Sequence, residues 1–346
     1  MAIFAQQNAI NFPQMPQLID NHGRAVSYVR LAVTDRCNLR CFYCMPEEGI
    51  NYVPKPSLLT FEEMERALRL LVEMGVDKVR ITGGEPFVRR GIMGFLENIS
   101  QLPGLRQTNI TTNGVLTAPL LPDLKRIGVE SVNLSLDTLN RQRFFDITRR
   151  DEFNNVWETF EALQDYQIKT KINAVVMSGK NTDEIIDMVE LTRKYNVSVR
   201  FIEEMPFNGQ GQHEYAEFWN YQKILDKIRG QYPNIYKLPD PPASTSANYQ
   251  IPDHKGSVGI IAAFSRTFCG TCNRLRITPQ GDFRTCLYAD SAFNLRDALR
   301  KNGNDEAVKN YIYEAVQNRA KDGFEAEQRR GLSGVSPSES MATIGG

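Results

Sequence analysis

The chain carries no surplus of charge of either sign: 41 Lys and Arg balance 41 Asp and Glu. Such a balance gives no overall pull toward nucleic acid or an anionic membrane surface. No apolar run approaches the roughly 18 residues of a membrane-spanning helix. The longest obvious one, Val258–Phe264, has the length of a strand. The opening stretch Met1–Pro16 is polar and lacks the basic start and apolar core of a secretory signal. No GxxxxGK followed by Ser or Thr occurs, which excludes an ordinary phosphate-binding loop. Cysteine is scarce, with six in 346 residues, and this argues for reduced, metal-binding thiols over a disulfide framework. These absences lead to the expectation of a soluble, cytoplasmic protein. The 41% of hydrophobic residues provide a sizeable core, and 346 residues suffice for two domains or for one barrel with an extension.

The six cysteines fall into two triplets. Cys37, Cys41 and Cys44 have the spacing C-x3-C-x2-C, just after the apolar stretch Val26–Val33. Cys269, Cys272 and Cys286 have the spacing C-x2-C-x13-C, and no fourth cysteine remains for either group. A closed structural metal site uses four protein ligands, whereas three leave a position open for chemistry. Three thiolates around a four-iron cubane would leave one iron free to bind something else. For the first triplet the alternative is a zinc knuckle with a remote fourth ligand. For the second, zinc completed by His254 stands level with a cluster, and a Cys269–Cys272 disulfide is the weaker alternative in a reducing compartment. A first cluster favours a second. A simple electron carrier would use four cysteines per cluster, so two triplets argue against one.

Strand-like stretches recur at Tyr28–Val33, Lys78–Thr82, Thr108–Thr112, Ser131–Leu136, Lys171–Met177 and Ser198–Glu203, with helical patterns between them. The clearest helix, Phe61–Met74, places Met64, Ala67, Leu68, Leu71 and Val72 on one face. Thr60 and Glu63 form a capping-box pattern at its start, Gly75 fits its end, and Asn181 with Glu184 repeats the pattern before Ile185–Tyr195. Strands alternating with helices imply βαβ units and a parallel sheet. The fold class expected is α/β, an incomplete (β/α)6 TIM-like barrel with a C-terminal extension carrying a second iron–sulfur cluster. In such a barrel the loops after the strands build the site, and the first cysteine loop, Gly83-Gly84 and Thr111-Thr112-Asn113 all fall there. The pattern breaks near Tyr236, where Leu238–Gly256 reads as a Pro- and Ser-rich connector. The expected organisation is a flexible arm over 1–25, the barrel over 26–235, the auxiliary-cluster region over 236–330 and a flexible tail over 331–346.

The first triplet, with the aromatic Tyr43 before its last cysteine, resembles the signature of radical S-adenosylmethionine (SAM) enzymes. Both triplets, with Gly83-Gly84-Glu85-Pro86 between them and Gly345-Gly346 at the end, resemble the GTP 3′,8-cyclase family, the molybdenum cofactor biosynthesis protein A family. The resemblance runs from about Arg30 onward and implies two 4Fe-4S clusters, SAM, and a lyase reaction. That reaction is the radical cyclisation of GTP to (8S)-3′,8-cyclo-7,8-dihydroguanosine 5′-triphosphate, the first step of molybdenum cofactor biosynthesis.

Residue by residue, the resemblance implies that Cys37, Cys41 and Cys44 hold the SAM-binding cluster and that Cys269, Cys272 and Cys286 hold the second, facing guanine. It puts Tyr43, Gly84, Ser135 and Met205 against SAM, and Arg30, Arg80, Thr111, Lys171, Arg274, Leu275 and Arg276 against GTP. Gly345 and Gly346 are implied to assist catalysis. Implied partners are an external electron donor and, downstream, cyclic pyranopterin monophosphate synthase, with no nucleic acid or membrane; a homodimer stays open. The guanidinium fork suits phosphate oxygens. Arg30, Arg80 and Arg200 lie inside apolar strand patterns, where an unpaired charge would be costly, so Arg200 and Lys78 join the candidates. A peptide-modifying radical enzyme and a non-enzymatic iron–sulfur or zinc module are the alternatives.

Overall fold

The structure is a computed structural model that describes residues 17–46, 49–205, 217–301, 303–332 and 340–345. Its strands are β1 (Tyr28–Ala32), β2 (Lys78–Thr82), β3 (Gln107–Thr112), β4 (Ser131–Ser135), β5 (Lys169–Val176) and β6 (Ser198–Glu203), the six that the sequence pattern marks. The C-terminal region adds β7 (Tyr236–Lys237), β8 (Ala247–Gln250), β9 (Ser257–Ile261), β10 (Arg274–Ile277), β11 (Asp282–Arg284) and β12 (Phe293–Asn294). All twelve form one sheet in the order β12-β11-β10-β1-β2-β3-β4-β5-β6-β9-β8-β7. β1 to β6 pair in parallel, and β10 and β9 extend the parallel array on either side. The outer strands are antiparallel. The region expected as a separate extension therefore completes the sheet. Residues of β10 at one side and of β6 and β9 at the other line one cavity, so the sheet curves around it and stays open between its edge strands.

The helices are α1 (Phe61–Glu73), α2 (Ile92–Ser100), α3 (Leu121–Arg126), α4 (Arg141–Thr148), α5 (Phe153–Asp165), α6 (Ile185–Lys194) and α7 (Tyr221–Gln231). After β12 follow α8 (Leu295–Lys301), α9 (Asp305–Gln317), α10 (Gly323–Leu332) and α11 (Met341–Ile344). α1 opens with the expected capping box: Glu63 N–H donates to Thr60 Oγ1 at 3.2 Å, and Thr60 N–H donates to Glu63 Oε2 at 2.8 Å. Its face of Met64, Ala67, Leu68, Leu70, Leu71 and Val72 is buried, each Leu contributing about 1.5–3 kcal/mol. The same pattern fails at α6. Asn181 turns back instead, its Oδ1 accepting from Met177 N–H at 2.9 Å while its amide donates to Asp137 and Val175 carbonyls at 2.8 Å. Glu184 receives Thr138 Oγ1–H at 2.7 Å and Leu139 N–H at 2.7 Å, so both residues tie together the loops after β4 and β5.

Side chains alternate across a strand, and the sheet uses the two faces differently. Val29, Leu31, Val79, Ile81, Ile110, Val132, Leu134, Ile172, Ala174, Val199, Phe201, Leu275 and Ile277 belong to the hydrophobic core. The intervening residues Tyr28, Arg30, Lys78, Arg80, Thr111, Asn133, Lys171, Asn173, Arg200, Arg274 and Arg276 face the cavity. No helix among the described residues is long and apolar enough to cross a membrane.

Candidate active site

The cavity has a volume of about 490 Å³ and runs along the inner face of the sheet, from Tyr28, Lys78 and Arg274 at strand starts to the loops that follow the strands. Cys37, Cys41, Cys44, Cys269, Cys272 and Cys286 all line it, and all six are free thiols. Two distant cysteine groups thus meet at one site.

The first triad sits in the loop after β1. Gly84 N–H donates to Thr34 O and Glu85 N–H to Arg36 O, both at 2.8 Å, joining the loop after β2 to the cysteine loop. A Cβ on Gly84 would stand 2.3 Å from Arg36 O, so the glycine is required by the neighbouring loop of the same chain. Beneath lies Glu85, which accepts from Asn113 N–H at 2.8 Å and Phe87 N–H at 3.1 Å and contacts Thr112 Oγ1 at 3.0 Å. Burial raises its carboxyl to about 7. Burial and the nearby Glu85 push Cys37 up to about 12, while Asn113 Nδ2 approaches its sulfur at 3.6 Å. Tyr43 donates its hydroxyl to Asp137 at 2.8 Å, and burial holds that carboxyl at about 6. Burial raises the thiols of Cys41 and Cys44 as well; metal groups bind cysteine as thiolate, so a cluster here would supply the positive charge that holds the three deprotonated.

The second triad is placed by the short turn Cys269–Thr271 and the loop after β11. Its surroundings are cationic. Arg274 Nε donates to Cys272 Sγ at 3.3 Å and Arg319 Nη2 at 3.0 Å. Burial works against the Cys272 thiolate, yet the two guanidinium charges bring its thiol down to about 7. Backbone N–H groups of Gly323 and Tyr288 point at Cys269 and Cys286. Among the described residues no three His, Cys, Asp or Glu side chains converge on a single ion position. Three free thiols per triad, with no further cysteine in the sequence, are the donor set of a four-iron cubane with one open iron and not of a closed four-cysteine zinc site. His254, considered as a zinc ligand, is turned away from the cavity: its Nδ1 lies 2.7 Å from Thr192 Oγ1 of α6.

The cations form a row. The register sets Arg276 beside Arg30 and Arg30 beside Arg80, across β10, β1 and β2. One step along, Arg274, Tyr28 and Lys78 form a second row. Arg80 donates to Tyr28 Oη at 2.7 Å and to Ile110 O at 3.0 Å, and Arg200 Nε contacts Ser198 Oγ at 3.4 Å, so neither has a carboxylate among these partners. Burial, with Arg200 and Arg80 nearby, lowers Lys171 to about 7. Burial and neighbouring guanidinium charges lower Arg276 to about 9. Like charges packed in a row are costly unless an anion joins them. Lys78 and Arg200 line the cavity with the rest.

Most of the remaining expected site residues are here. Gly84, Thr111, Ser135 and Met205 line the cavity wall, and Tyr288 Oη contacts Met205 Sδ at 3.4 Å. Leu275 is a correction: strand alternation turns its side chain into the hydrophobic core, away from Arg274 and Arg276. Within the tail expected as flexible, α11 is ordered against the cavity, with Ala342 and Ile344 buried. Met341 and Ala342 line the cavity, and Gly345 O accepts from Arg276 Nη1 at 2.7 Å. Gly346 lies outside the described residues. Roles for Glu85, Asn113, Asp137 and Arg319 are not visible in the sequence because their partners are distant in the chain, and Asn133 and Asn173 add cavity-facing amides whose oxygens have no hydrogen-bond partner among the described residues.

Residues 31–192 match the radical SAM superfamily, and residues 197–324 match the Molybdenum Cofactor Synthesis C family. The chain is 43% identical over 328 residues to molybdenum cofactor biosynthesis protein 1 of Bos taurus, covering 94% of this chain and 51% of that protein. It thus spans about half the length of several relatives of this kind. With the GTP 3′,8-cyclase of Peptoclostridium acidaminophilum it shares 39% identity, covering 88% of this chain and 93% of the other. In fold it is similar to the crystal structure of Streptococcus suis SuiB, with a TM-score of 0.64 at 16% identity over 92% of this chain and 77% of that one. On the identity and shared length of the Peptoclostridium relative, the chain belongs to the GTP 3′,8-cyclase family within the radical SAM superfamily.

Proposed function

We propose that the chain cyclises GTP to (8S)-3′,8-cyclo-7,8-dihydroguanosine 5′-triphosphate, using SAM and two 4Fe-4S clusters. The observation that carries this reading is the meeting of both cysteine triads with the Arg276–Arg30–Arg80 row in one cavity. Thiols alone are compatible with many clusters, and cations alone with many anions. Together they make a site where a polyphosphate is held beside redox chemistry.

When bound and reduced, the SAM-binding cluster would supply one electron to split SAM into methionine and a 5′-deoxyadenosyl radical; that radical would take the ribose C3′ hydrogen to leave 5′-deoxyadenosine, and closure of C3′ onto guanine C8 would leave a nucleotide radical quenched by one further electron and a proton. The protein's part is positioning and exclusion. Cys37, Cys41 and Cys44 would hold that cluster, with Tyr43 fixed through Asp137 and the loop clamped by Gly84 and Glu85. Gly84, Ser135 and Met205 would contact SAM. Arg30, Lys78, Arg80, Lys171, Arg200, Arg274 and Arg276 would bind the triphosphate, and Thr111, whose buried hydroxyl has no hydrogen-bond partner among the described residues, would bind the nucleoside. Cys269, Cys272 and Cys286 would hold the second cluster against the base. The backbone of Gly345 meets this site through Arg276. An external electron donor would supply both electrons, and cyclic pyranopterin monophosphate synthase would take the product. Six free thiols suit a reducing compartment such as the cytoplasm.

Anaerobic incubation of the iron-reconstituted chain with GTP, SAM and a strong reductant tests the reading. The expected outcome is 5′-deoxyadenosine together with the cyclised nucleotide. SAM cleavage that is indifferent to GTP, with no nucleotide product, would overturn it.

A further inference from the structure

Residues 17–25 belong to the stretch expected as a flexible arm, yet they are built into the second triad's surroundings. Leu18 N–H donates to Met74 O at 3.0 Å, and Ile19 bridges Ala25 to close a small hairpin. The turn is organised by Asp20, whose Oδ1 accepts from His22 and Arg24 N–H at 2.9 Å. Its Oδ2 accepts from Arg24 Nε at 2.6 Å and from Arg319 Nη1 at 3.4 Å. Arg24 reaches on to Cys269 O at 3.2 Å and Ala320 O at 2.9 Å. Arg319 follows α9, and its carbonyl lies 3.0 Å from His22 Nε2.

The other end of Arg319 decides the matter. Its Nη2 donates to Cys272 Sγ at 3.0 Å and to Arg274 O at 3.1 Å. The side chains of Arg319 and Asp20 are 2% and 0% exposed. Arg24, Asp20 and Arg319 together carry one net positive charge in a nearly closed space, and a buried net charge is costly. A Cys272 thiolate, held between Arg319 and Arg274, offsets part of this positive charge. An arginine needed only for packing would require Asp20 and the carbonyls, not a hydrogen bond aimed at a ligand sulfur. Hydrogen bonds to cluster sulfurs, and groups that orient the ligands, tune the potential of an iron–sulfur centre.

We propose that Arg319, oriented by Asp20, is a positioning residue of the second triad that donates to the Cys272 thiolate and raises the reduction potential of the cluster held there. This rests on the reading that the second triad holds a cluster. The N-terminal hairpin is then the clasp that fixes Arg319.

The test uses the full chain with Cys37, Cys41 and Cys44 changed to Ser, reconstituted with iron and sulfide so that only the second cluster forms. Its midpoint potential is read by electron paramagnetic resonance during a redox titration. Arg319→Gln removes the charge and should lower the reduced-to-oxidised ratio at a fixed potential roughly tenfold, which is about 59 mV for a one-electron couple. Arg319→Lys should restore part of that shift. Should Arg319→Gln fail to fold, Arg319→Lys decides the matter: it keeps the charge and the volume but not the guanidinium fork on Cys272 Sγ, and a lowering smaller than that tenfold shift is expected. Iron present with the same potential in the parent and in every folded variant overturns the role of Arg319 alone. No iron in the parent overturns the second-cluster reading, and this inference with it.

Discussion

Arg276 Nη1 donates to the carbonyl oxygen of Gly345 at 2.7 Å, so the penultimate residue of the chain is tied to a cavity arginine on β10. Gly345 has φ of 80° and closes α11 through its N–H to Met341 O. A Cβ there would lie 2.9 Å from Ala32 Cβ. Gly345→Ala is therefore strained by both backbone and contact. Deleting Gly345-Gly346 should leave folding, iron content and GTP affinity largely intact while lowering cyclisation about tenfold or more, the worth of one charge-assisted contact. Full turnover by the truncated chain would show that this contact is incidental.

The two triads should be separable. Cys41→Ser should remove about half the iron and all SAM cleavage, the other cluster remaining on three thiolates. Cys272→Ala should retain the first cluster and some reductive cleavage of SAM but make no cyclised nucleotide. A Cys272 variant that cyclises GTP at the normal rate would reduce the second triad to a structural role. Iron analysis and product chromatography distinguish these cases.

Spacing made the chemistry legible and left the wiring hidden. Cys37, Cys41 and Cys44 announce a metal site within eight residues of sequence, and an arginine in an apolar strand announces an anion. Strand alternation, legible in Arg274-Leu275-Arg276, puts the two arginines on one face and Leu275 in the core. Asn181 and Glu184 have the spacing of a helix cap but are claimed by Met177, Thr138 and Leu139. The hairpin around Asp20 could not be read locally either, since its partner Arg319 lies 299 positions away. Glu85 and Asp137 gain their roles from loops brought together only by the parallel sheet.

Arg274 has two duties in the structure, because it lines the cavity and also donates to Cys272 Sγ at 3.3 Å. Arg274→Ala should therefore weaken GTP binding by roughly 1.5–3 kcal/mol and disturb the second cluster's spectrum as well. Arg200→Ala, whose near contact is Ser198 Oγ, should weaken binding with both clusters unchanged. Equilibrium binding of GTP to the reconstituted variants, with their spectra recorded alongside, checks both. Unchanged affinity in both would return these residues to a structural role.

Glu85 is held by acceptor contacts that an amide cannot reproduce on both oxygens, since Asn113 N–H and Phe87 N–H both donate to it. Glu85→Gln should cost about 1–3 kcal/mol by leaving a buried donor facing a donor. Glu85 has its folded value raised from 4.5 to about 7, so between those values the folded state holds the extra proton. Stability from this group falls as pH rises from 4.5 to 7 and is flat above. Denaturant titrations of metal-free wild type and Glu85→Gln at pH 5 and pH 8 should show the variant losing more at pH 5 than at pH 8. An equal loss at both would mean that Glu85 keeps one protonation state.

Lys171 should carry the pH dependence of nucleotide binding. Burial first, and then the charges of Arg200 and Arg80, lower it from 10.5 to about 7 in the folded chain. Between those values the unfolded chain holds the proton and the folded chain does not, so this group adds stability as pH rises from 7 toward 10.5. In the metal-free protein, Lys171→Met should therefore stabilise more at pH 7 than at pH 9. A triphosphate beside the amine reverses the balance, because an opposite charge nearby favours the ammonium form. GTP binding at pH 8 should then draw about one proton from solution. Calorimetry in buffers of different ionisation heat measures that uptake directly. The apparent enthalpy should depend on the buffer in wild type and lose that dependence in Lys171→Met. A wild-type enthalpy independent of the buffer would place Lys171 away from the phosphates.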